Sequence, residues 1–412
     1  MTWYKLLDQF FILLLVVYNI GFAINSKIIE ILGLKIYSNI FASSLIIILY
    51  LLLTAYRYLL YENINIRNMV NSTELPSVSI ILPIRNEENN IKTCLKNLLT
   101  LNYPTYEIIV ADGSSTDKSI EIANKTINNF NENNIVVNII EEEELPDDWL
   151  GKSWGCWNAA KIANGNLYLF TDADTIHSKN SLNVAVEKML EMNLDGLSII
   201  GKMMSLSVIE KIIMPSFKSL IFLIFGGRYG SKYLRDLAIG QYILVKKETY
   251  DGFGGHEVIK DKIAEDIHLA SKISSIGSFK SFNGNKVYSV RMYSNYDEIL
   301  NGLSRNANES MSDKKIGSII AVFSLLIWKV VPLITLPLFI LEGYDGIEVI
   351  VLFCIFSIGS ILVDVELNDD KLYYLFILPI GLVLLSWILI DNIFFNRAKE
   401  ISWKGRKYNF NE

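Results

Sequence analysis

Apolar runs of two kinds alternate along the chain. Near its ends they are long: 6–24, broken only by Asp8, Gln9 and Asn19, then 40–61, and after residue 318 the runs 319–341, 347–363 and 372–395. Most approach the roughly 20 residues that cross a bilayer, 347–363 being marginally short. Between them the runs are brief and interleaved with helical patterns. Val78–Pro83 predicts a strand, Ile91–Leu101 a helix, Glu107–Asp112 a strand, Ser119–Phe130 a helix, and the run from Leu167 to Phe170 a strand that ends in acids. Gly240–Val245 reads as a further strand, Gly252–His256 as a tight turn, and Ala264–Ala270 as the start of a helix; 297–306 is amphipathic. The alternation predicts an α/β fold, a mostly parallel sheet with helices on its faces, flanked by transmembrane helices. Four parts follow: an anchor of two helices over 1–61, a working domain over 62–312, a membrane region over 313–395 and a basic cytosolic tail over 396–412.

Composition sharpens this division. With 51% hydrophobic and 20% charged residues, the chain is too apolar for an ordinary soluble enzyme and too charged for a pure membrane bundle. The first apolar run lacks a basic n-region and a small-residue cleavage site, so it reads as an anchor rather than a signal peptide. A net charge of −6 without a central basic run excludes a nucleic-acid partner. Cys94, Cys156 and Cys354 lack metal-ligand spacing and indicate neither a disulfide framework nor a zinc site.

In parallel sheets ligands bind beyond the carboxyl ends of the strands, where Arg85-Asn-Glu87, Asp112–Asp117 and Asp172-Ala-Asp174 would all emerge. Asp172 and Asp174 can sit beside one divalent cation at a strand's mouth, or simply form a solvated turn or helix cap. Gly151-Lys152 places a cation before a helix, suited to a phosphate or to solvent. The stretch 208–227 fits an interfacial helix with Lys211 and Lys218 at lipid headgroups, or a buried core helix. Glu265 and Asp266 lie in a helix's first turn, where they favour its dipole or supply a general base. His177 could be a metal or phosphate ligand or a turn residue, and His268 would point away from Asp266; neither joins the catalytic set.

Taken together, Ser79–Glu88, Val110–Asp117, Phe170–Thr175 and Glu265-Asp266 resemble the ordered motifs of family 2 glycosyltransferases with a GT-A, Rossmann-like fold. More narrowly, Trp149–Lys152, Gly254–His256, Glu265–Ala270, Arg291–Tyr293, Gly302–Asn306 and Trp403–Tyr408 resemble the membrane branch holding the diaponeurosporenoate (carotenoid) and hopanoid-associated enzymes. The resemblance implies that Asp112 binds the nucleotide's base or ribose region together with Pro83, Arg85 and Glu87. It implies that Asp174, with Asp172 beside it, holds Mg²⁺ or Mn²⁺ on the diphosphate, and that Asp266 is the catalytic base with Glu265 as its support. The Gln-x-x-Arg-Trp motif of processive members is missing after Asp266, which points to a single transfer.

The expected reaction is then an inverting displacement by a lipid acceptor on a nucleotide sugar, a UDP-sugar first among donors, with Lys152 helping the diphosphate depart. Nucleotide sugars are cytosolic, which places the working domain in the cytosol of a multi-pass protein of the cell membrane. Acidic loops after 341 and 363, set against the basic tail, favour a re-entrant or interfacial 347–363. One rival is a polyprenyl-phosphate sugar synthase. Another is a non-catalytic nucleotide-sugar-binding or transport protein, disfavoured by a lack of charge pairs within the apolar segments.

Overall fold

The computed structural model describes residues 63–64, 75–225 except 131, 133 and 143, 238–303, 323, 326–342, 347–395, 400–403 and 406–409. The expected anchor over 1–61 lies outside the described residues. The chain divides into two compact units: one comprises 61–211, 232–310 and 396–412, the other 1–60, 212–231 and 311–395.

The first unit is built on a seven-stranded sheet. Its elements are β1 (Val78–Ile84), α1 (Ile91–Leu98), β2 (Tyr106–Asp112), α2 (Ser119–Phe130), β3 (Val136–Glu141), α3 (Gly151–Ile162), β4 (Leu167–Phe170), β5 (Thr175–His177), α4 (Ser181–Glu191), β6 (Gly196–Ile200), β7 (Lys202–Met203), α5 (Val208–Phe225), β8 (Ile243–Lys246), α6 (Lys247–Phe253), α7 (Glu265–Ile276), β9 (Phe279–Asn283) and β10 (Tyr288–Val290). The sheet order is β3-β2-β1-β4-β8-β6-β9, with β5-β10-β7 as a small second sheet. β3, β2, β1 and β4 are mutually parallel, and β8 runs antiparallel between β4 and β6. The result is a GT-A-like α/β fold with a mostly parallel sheet.

Period-two alternation explains why the central strands read as unbroken apolar runs. Ile80, Leu82, Ile108, Val110, Leu167 and Leu169 enter one core layer, while Ile81, Ile109, Ala111, Tyr168 and Phe170 enter the other. On the first face α1 buries Ile91, Cys94, Leu95 and Leu98, the spacing of one helical stripe. On the second, α3 buries Gly151, Ser153, Gly155, Cys156, Ala159 and Ala160, small residues that let it lie close to the sheet. Gly165, just before β4, is equally confined: a Cβ there would stand 2.4 Å from the backbone nitrogen of Ser79.

Three sequence readings need correction. β8 begins at Ile243, and the residues from Gly240 form the turn that leads into it. Gly252–His256 is the joint between α6 and a 3₁₀ turn (Gly255–Ile259), made by positive φ at Gly254 (92°) and Gly255 (58°). Within α5, Lys211 is exposed but Lys218 is 2% exposed, its amine over the Phe222 ring, so Lys218 cannot be the headgroup contact that an interfacial helix would need.

The second unit is helical: α5 continues in it from residue 212, and α8 (Val331–Glu342), α9 (Ile347–Asn368) and α10 (Tyr374–Phe395) follow. α9 runs for 22 residues, about 33 Å, rather than stopping at Val363. Asp364 does not end the helix because it is buried in an ion pair with Lys329. That pair also corrects the expectation of no charge pair among the apolar segments. Ser357 adds a hydrogen bond to the Lys329 carbonyl at 2.8 Å. Among the described residues one helix, Tyr374–Asp391, is long and apolar enough to cross a membrane. Outward apolar side chains include Leu341, Ile355, Phe376 and Trp387. In the first unit's tail, β11 (Glu400–Trp403) and β12 (Arg406–Asn409) pair as an antiparallel hairpin.

Candidate active site

The parallel strands deliver their carboxyl-terminal loops to one edge of the sheet. The loop after β1 carries Arg85, Asn86 and Glu87, and the loop after β2 carries Asp112 to Asp117. These two loops fasten to each other. Arg85 donates to the Gly113 carbonyl, Asn86 N–H to Ser115 Oγ (3.0 Å), Thr116 N–H to Asn86 Oδ1 (2.8 Å) and Glu87 N–H to Ser119 Oγ (2.6 Å). Asp112 is buried, and its carboxylate accepts the Ser115 hydroxyl at 2.5 Å, so it shapes the turn that follows it. Pro83, at the end of β1, stands by α3: a Cβ on Gly155 would lie 3.4 Å from it and 2.3 Å from Glu142 Oε1.

The acidic loop after β4 is held from beneath. Thr171 donates to the Gln241 carbonyl at 2.8 Å, and Thr175 donates to the Asp172 carbonyl at 2.7 Å. His177 Nε2 lies 2.9 Å from Thr171 Oγ1. Since the Thr171 hydroxyl proton is spent on Gln241, His177 is the donor in that contact. Burial pushes the His177 imidazole down to about 3, so it is neutral, and it stacks with Tyr288 (5.8 Å). It braces the root of the acidic loop from β5. His256, likewise pushed down to about 3 by burial and by Lys152, meets the Tyr250 hydroxyl at 2.8 Å.

Lys152 lies at the centre of the charges. Its amine is 2.7 Å from Asp172 Oδ1 and 2.8 Å from Glu265 Oε1. Burial opposes its charge, but the two carboxylates override that and hold Lys152 protonated well above the usual lysine range. Sequence reasoning placed Lys152 on a phosphate and missed this pairing, because its partners come from the loop after β4 and from α7. Asp174 is left differently. Its Oδ1 is buried without a hydrogen-bond partner, and burial, Asp172 and Glu87 push the carboxyl up to about 8. Asp266 accepts the Gly240 N–H at 2.9 Å, and burial followed by the Glu265 charge raises it to about 7. Gly240 had no site role in the sequence reading. Its N–H and its missing side chain are what bring α7 and α3 together here.

Arg291 and Tyr293 have structural duties. Arg291 grips Glu210 at the start of α5 through two bonds of 2.8 and 3.2 Å. Although burial raises Glu210, that grip and the N–H groups of Leu206 and Ser207 hold it down at about 2. Tyr293 packs where Gly302 lacks a side chain, an added Cβ falling 2.3 Å from its ring.

Comparison with known proteins fits this geometry. The profile described as Glycosyl transferase family 2 matches residues 79–203, which covers the three loops but not Gly240, Glu265 or Asp266. Curated relatives include "Probable glycosyltransferase YdaM" of Bacillus subtilis, 27% identical over 50% of this chain and 49% of its own length. Another is the 4,4'-diaponeurosporenoate glycosyltransferase of Staphylococcus haemolyticus, 29% identical over 29% of this chain and 30% of its own. The chain thus spans about half or less of the length of these relatives. Among solved structures, a mannosyltransferase from Pyrobaculum calidifontis in complex with GDP-Man and Mn²⁺ aligns over 88% of this chain and 98% of its own, at 17% identity and a TM-score of 0.46. Residues 79–203, with the acidic loop at the sheet edge, are thus the part of the chain that carries the match to glycosyl transferase family 2.

Proposed function

We propose that the chain is a membrane-associated inverting glycosyltransferase that moves one sugar from a nucleotide-sugar donor to a lipid acceptor. One observation carries the reading: two carboxylate pairs, Asp172/Asp174 and Glu265/Asp266, meet across a single lysine at the carboxyl edge of a family 2 sheet. The metal fits the first pair. Asp174 Oδ1 is a buried, unpartnered hard oxygen, and like charges crowd it. Among the described residues no group of three or more metal-ligating side chains is gathered, which suits Mg²⁺ or Mn²⁺ held by one or two carboxylates and completed by phosphate and water. Bound there, the ion would supply charge neutralisation for the departing diphosphate.

The chain's own residues do the remaining work. The fastened loops carrying Pro83, Arg85, Glu87 and Asp112 receive the nucleotide, with Asp112 fixing the turn. Lys152 has one N–H beyond its two carboxylate bonds and can turn it to a diphosphate oxygen. Asp266, aimed by Gly240, accepts the acceptor hydroxyl's proton, and its raised pKa suits a base working near neutrality. The lipid acceptor is supported by the apolar helices of the second unit and by the name of the diaponeurosporenoate relative. The charge pair Lys329–Asp364 is satisfied within itself and gives a transport pathway no open polar group.

The test is transfer from radiolabelled UDP-glucose, UDP-N-acetylglucosamine or GDP-mannose to an extract of host lipids, with Mn²⁺ and with chelator. Metal-dependent label in the lipid phase is expected. A protein that binds nucleotide sugar but neither hydrolyses it nor transfers its sugar would be a binding protein. Label only on added polyprenyl phosphate would make it a polyprenyl-phosphate sugar synthase.

A further inference from the structure

Among the described residues, Lys152 is the one cation that touches both the donor-side and the acceptor-side carboxylates. We infer that Lys152, seated in the notch left by Gly240, is a positioning residue that couples the two halves of the site, so that occupancy at Asp172/Asp174 alters the hold on Glu265 and the aim of Asp266. The inference rests on the proposed function and concerns how that site is assembled.

The geometry is specific. One ammonium is shared between Asp172 Oδ1 (2.7 Å) and Glu265 Oε1 (2.8 Å), so any change in the charge that one carboxylate presents redistributes the bond to the other. Sharing at this range requires Gly240. A Cβ there would stand 2.7 Å from Lys152 Nζ, 3.3 Å from Glu265 Oε1 and 3.7 Å from Asp172 Oδ2. Among the described residues the positive-φ glycines are Gly254 and Gly255, so the demand at Gly240 is for space and not for backbone freedom. The same residue's N–H holds Asp266 Oδ2 at 2.9 Å. A single backbone position therefore aims the base and makes room for the shared cation. Asp172, when it helps Asp174 hold a divalent cation, would loosen its bond to Lys152, and the lysine's bond would shift toward Glu265, whose neighbour in the helix is Asp266. The acceptor side would thereby be set in place by occupancy on the donor side.

The experiment measures equilibrium binding of Mn²⁺ with UDP, and in a parallel arm with GDP, to the purified full chain in detergent. It compares wild type, Glu265→Gln, Lys152→Met and the double variant. Glu265 makes no bond to Asp172 or Asp174, so its effect on donor-side affinity must pass through Lys152 or through space. The expected result is about a tenfold loss of Mn²⁺–UDP affinity for Glu265→Gln in wild type, shrinking to less than about twofold in the Lys152→Met background. The same loss in both backgrounds would mean plain through-space charge and overturns the coupling, as would no loss in wild type. Should Lys152→Met fail to fold, Gly240→Ala takes its place. Its new Cβ comes closer than 3.0 Å only to the flexible tip of Lys152, so the fold is kept and no charge is lost while the shared bond breaks. The Glu265→Gln effect should collapse there too, and its persistence overturns the inference. Wild type that binds neither nucleotide with Mn²⁺ defeats the donor-site reading itself, a result distinct from additive binding.

Discussion

Asp266→Asn should make the protein nearly inactive and, above neutral pH, more stable. Asn keeps the shape and can still accept the Gly240 N–H, while the proton acceptor goes. Its amide nitrogen then faces the Ile267 N–H that Asp266 Oδ1 accepts at 2.8 Å, a loss of about 1–3 kcal/mol that offsets part of any gain. Loss of a positioned general base lowers transfer to a hydroxyl acceptor by about 10²–10⁴-fold. The stability change follows from the folded-state pKa. Asp266 titrates at about 7 when folded against an ordinary 3.8, so between those values the folded chain holds a proton that the unfolded chain has released. Stability from this group is therefore complete below about pH 4 and falls as pH rises through 7. At roughly 1.4 kcal/mol per pH unit, the cost of keeping Asp266 ionised at pH 8 is at most ~4 kcal/mol, and Asn removes it. The assay pairs transfer rates with urea unfolding of wild type and variant from pH 4 to pH 8.5. In wild type kcat/KM should rise with pH through about 7, whereas the variant's stability relative to wild type should grow between about pH 4 and pH 7 and level off above it. Near-wild-type transfer, or a stability difference that does not grow with pH, would refute the assignment of a buried, protonatable base to this position.

Other outcomes are expected from the same geometry. His177→Gln should leave Mn²⁺ affinity within about twofold, because the imidazole faces Thr171, while costing about 1–3 kcal/mol in unfolding experiments. Gly165→Ala should destabilise by about 1–3 kcal/mol, because its Cβ meets immovable backbone at Ser79; thermal denaturation measures it. Lys329→Met should cost about 3–5 kcal/mol by stranding Asp364, and adding Asp364→Leu should restore most of the loss in the same melts. Chelation should abolish sugar transfer, and Mn²⁺ or Mg²⁺ should return it.

What could be read from sequence divides along the range of the interactions. β1, β2 and α2 were legible because their burial is written locally, as apolar runs and a helical stripe. β3 was not: it is a half-exposed edge strand, and the burial pattern along Val136–Glu141 does not alternate. The antiparallel course of β8 was hidden too, since strand direction in a sheet is decided by partners far away in sequence. In the site, Asp172, Asp174, Glu265 and Asp266 stood out by type and spacing. The Lys152 pairings, the bracing by His177 and the part played by Gly240 did not, because each joins segments that only folding brings together. For the same reason Asp364 read as part of an acidic loop after 363, whereas the structure pairs it with Lys329 inside the helical unit.

The two loops laced together after β1 and β2 also determine how a nucleotide would be received. Each loop's backbone is held by side chains of the other, with Asn86 and Ser114 in left-handed conformations (φ 51° and 59°) as part of the lacing. A base arriving there would find a surface whose ordering entropy was already spent when the chain folded. Affinity for the nucleotide would then depend little on loop closure, and trimming the sugar from the donor would cost contacts without freeing any backbone.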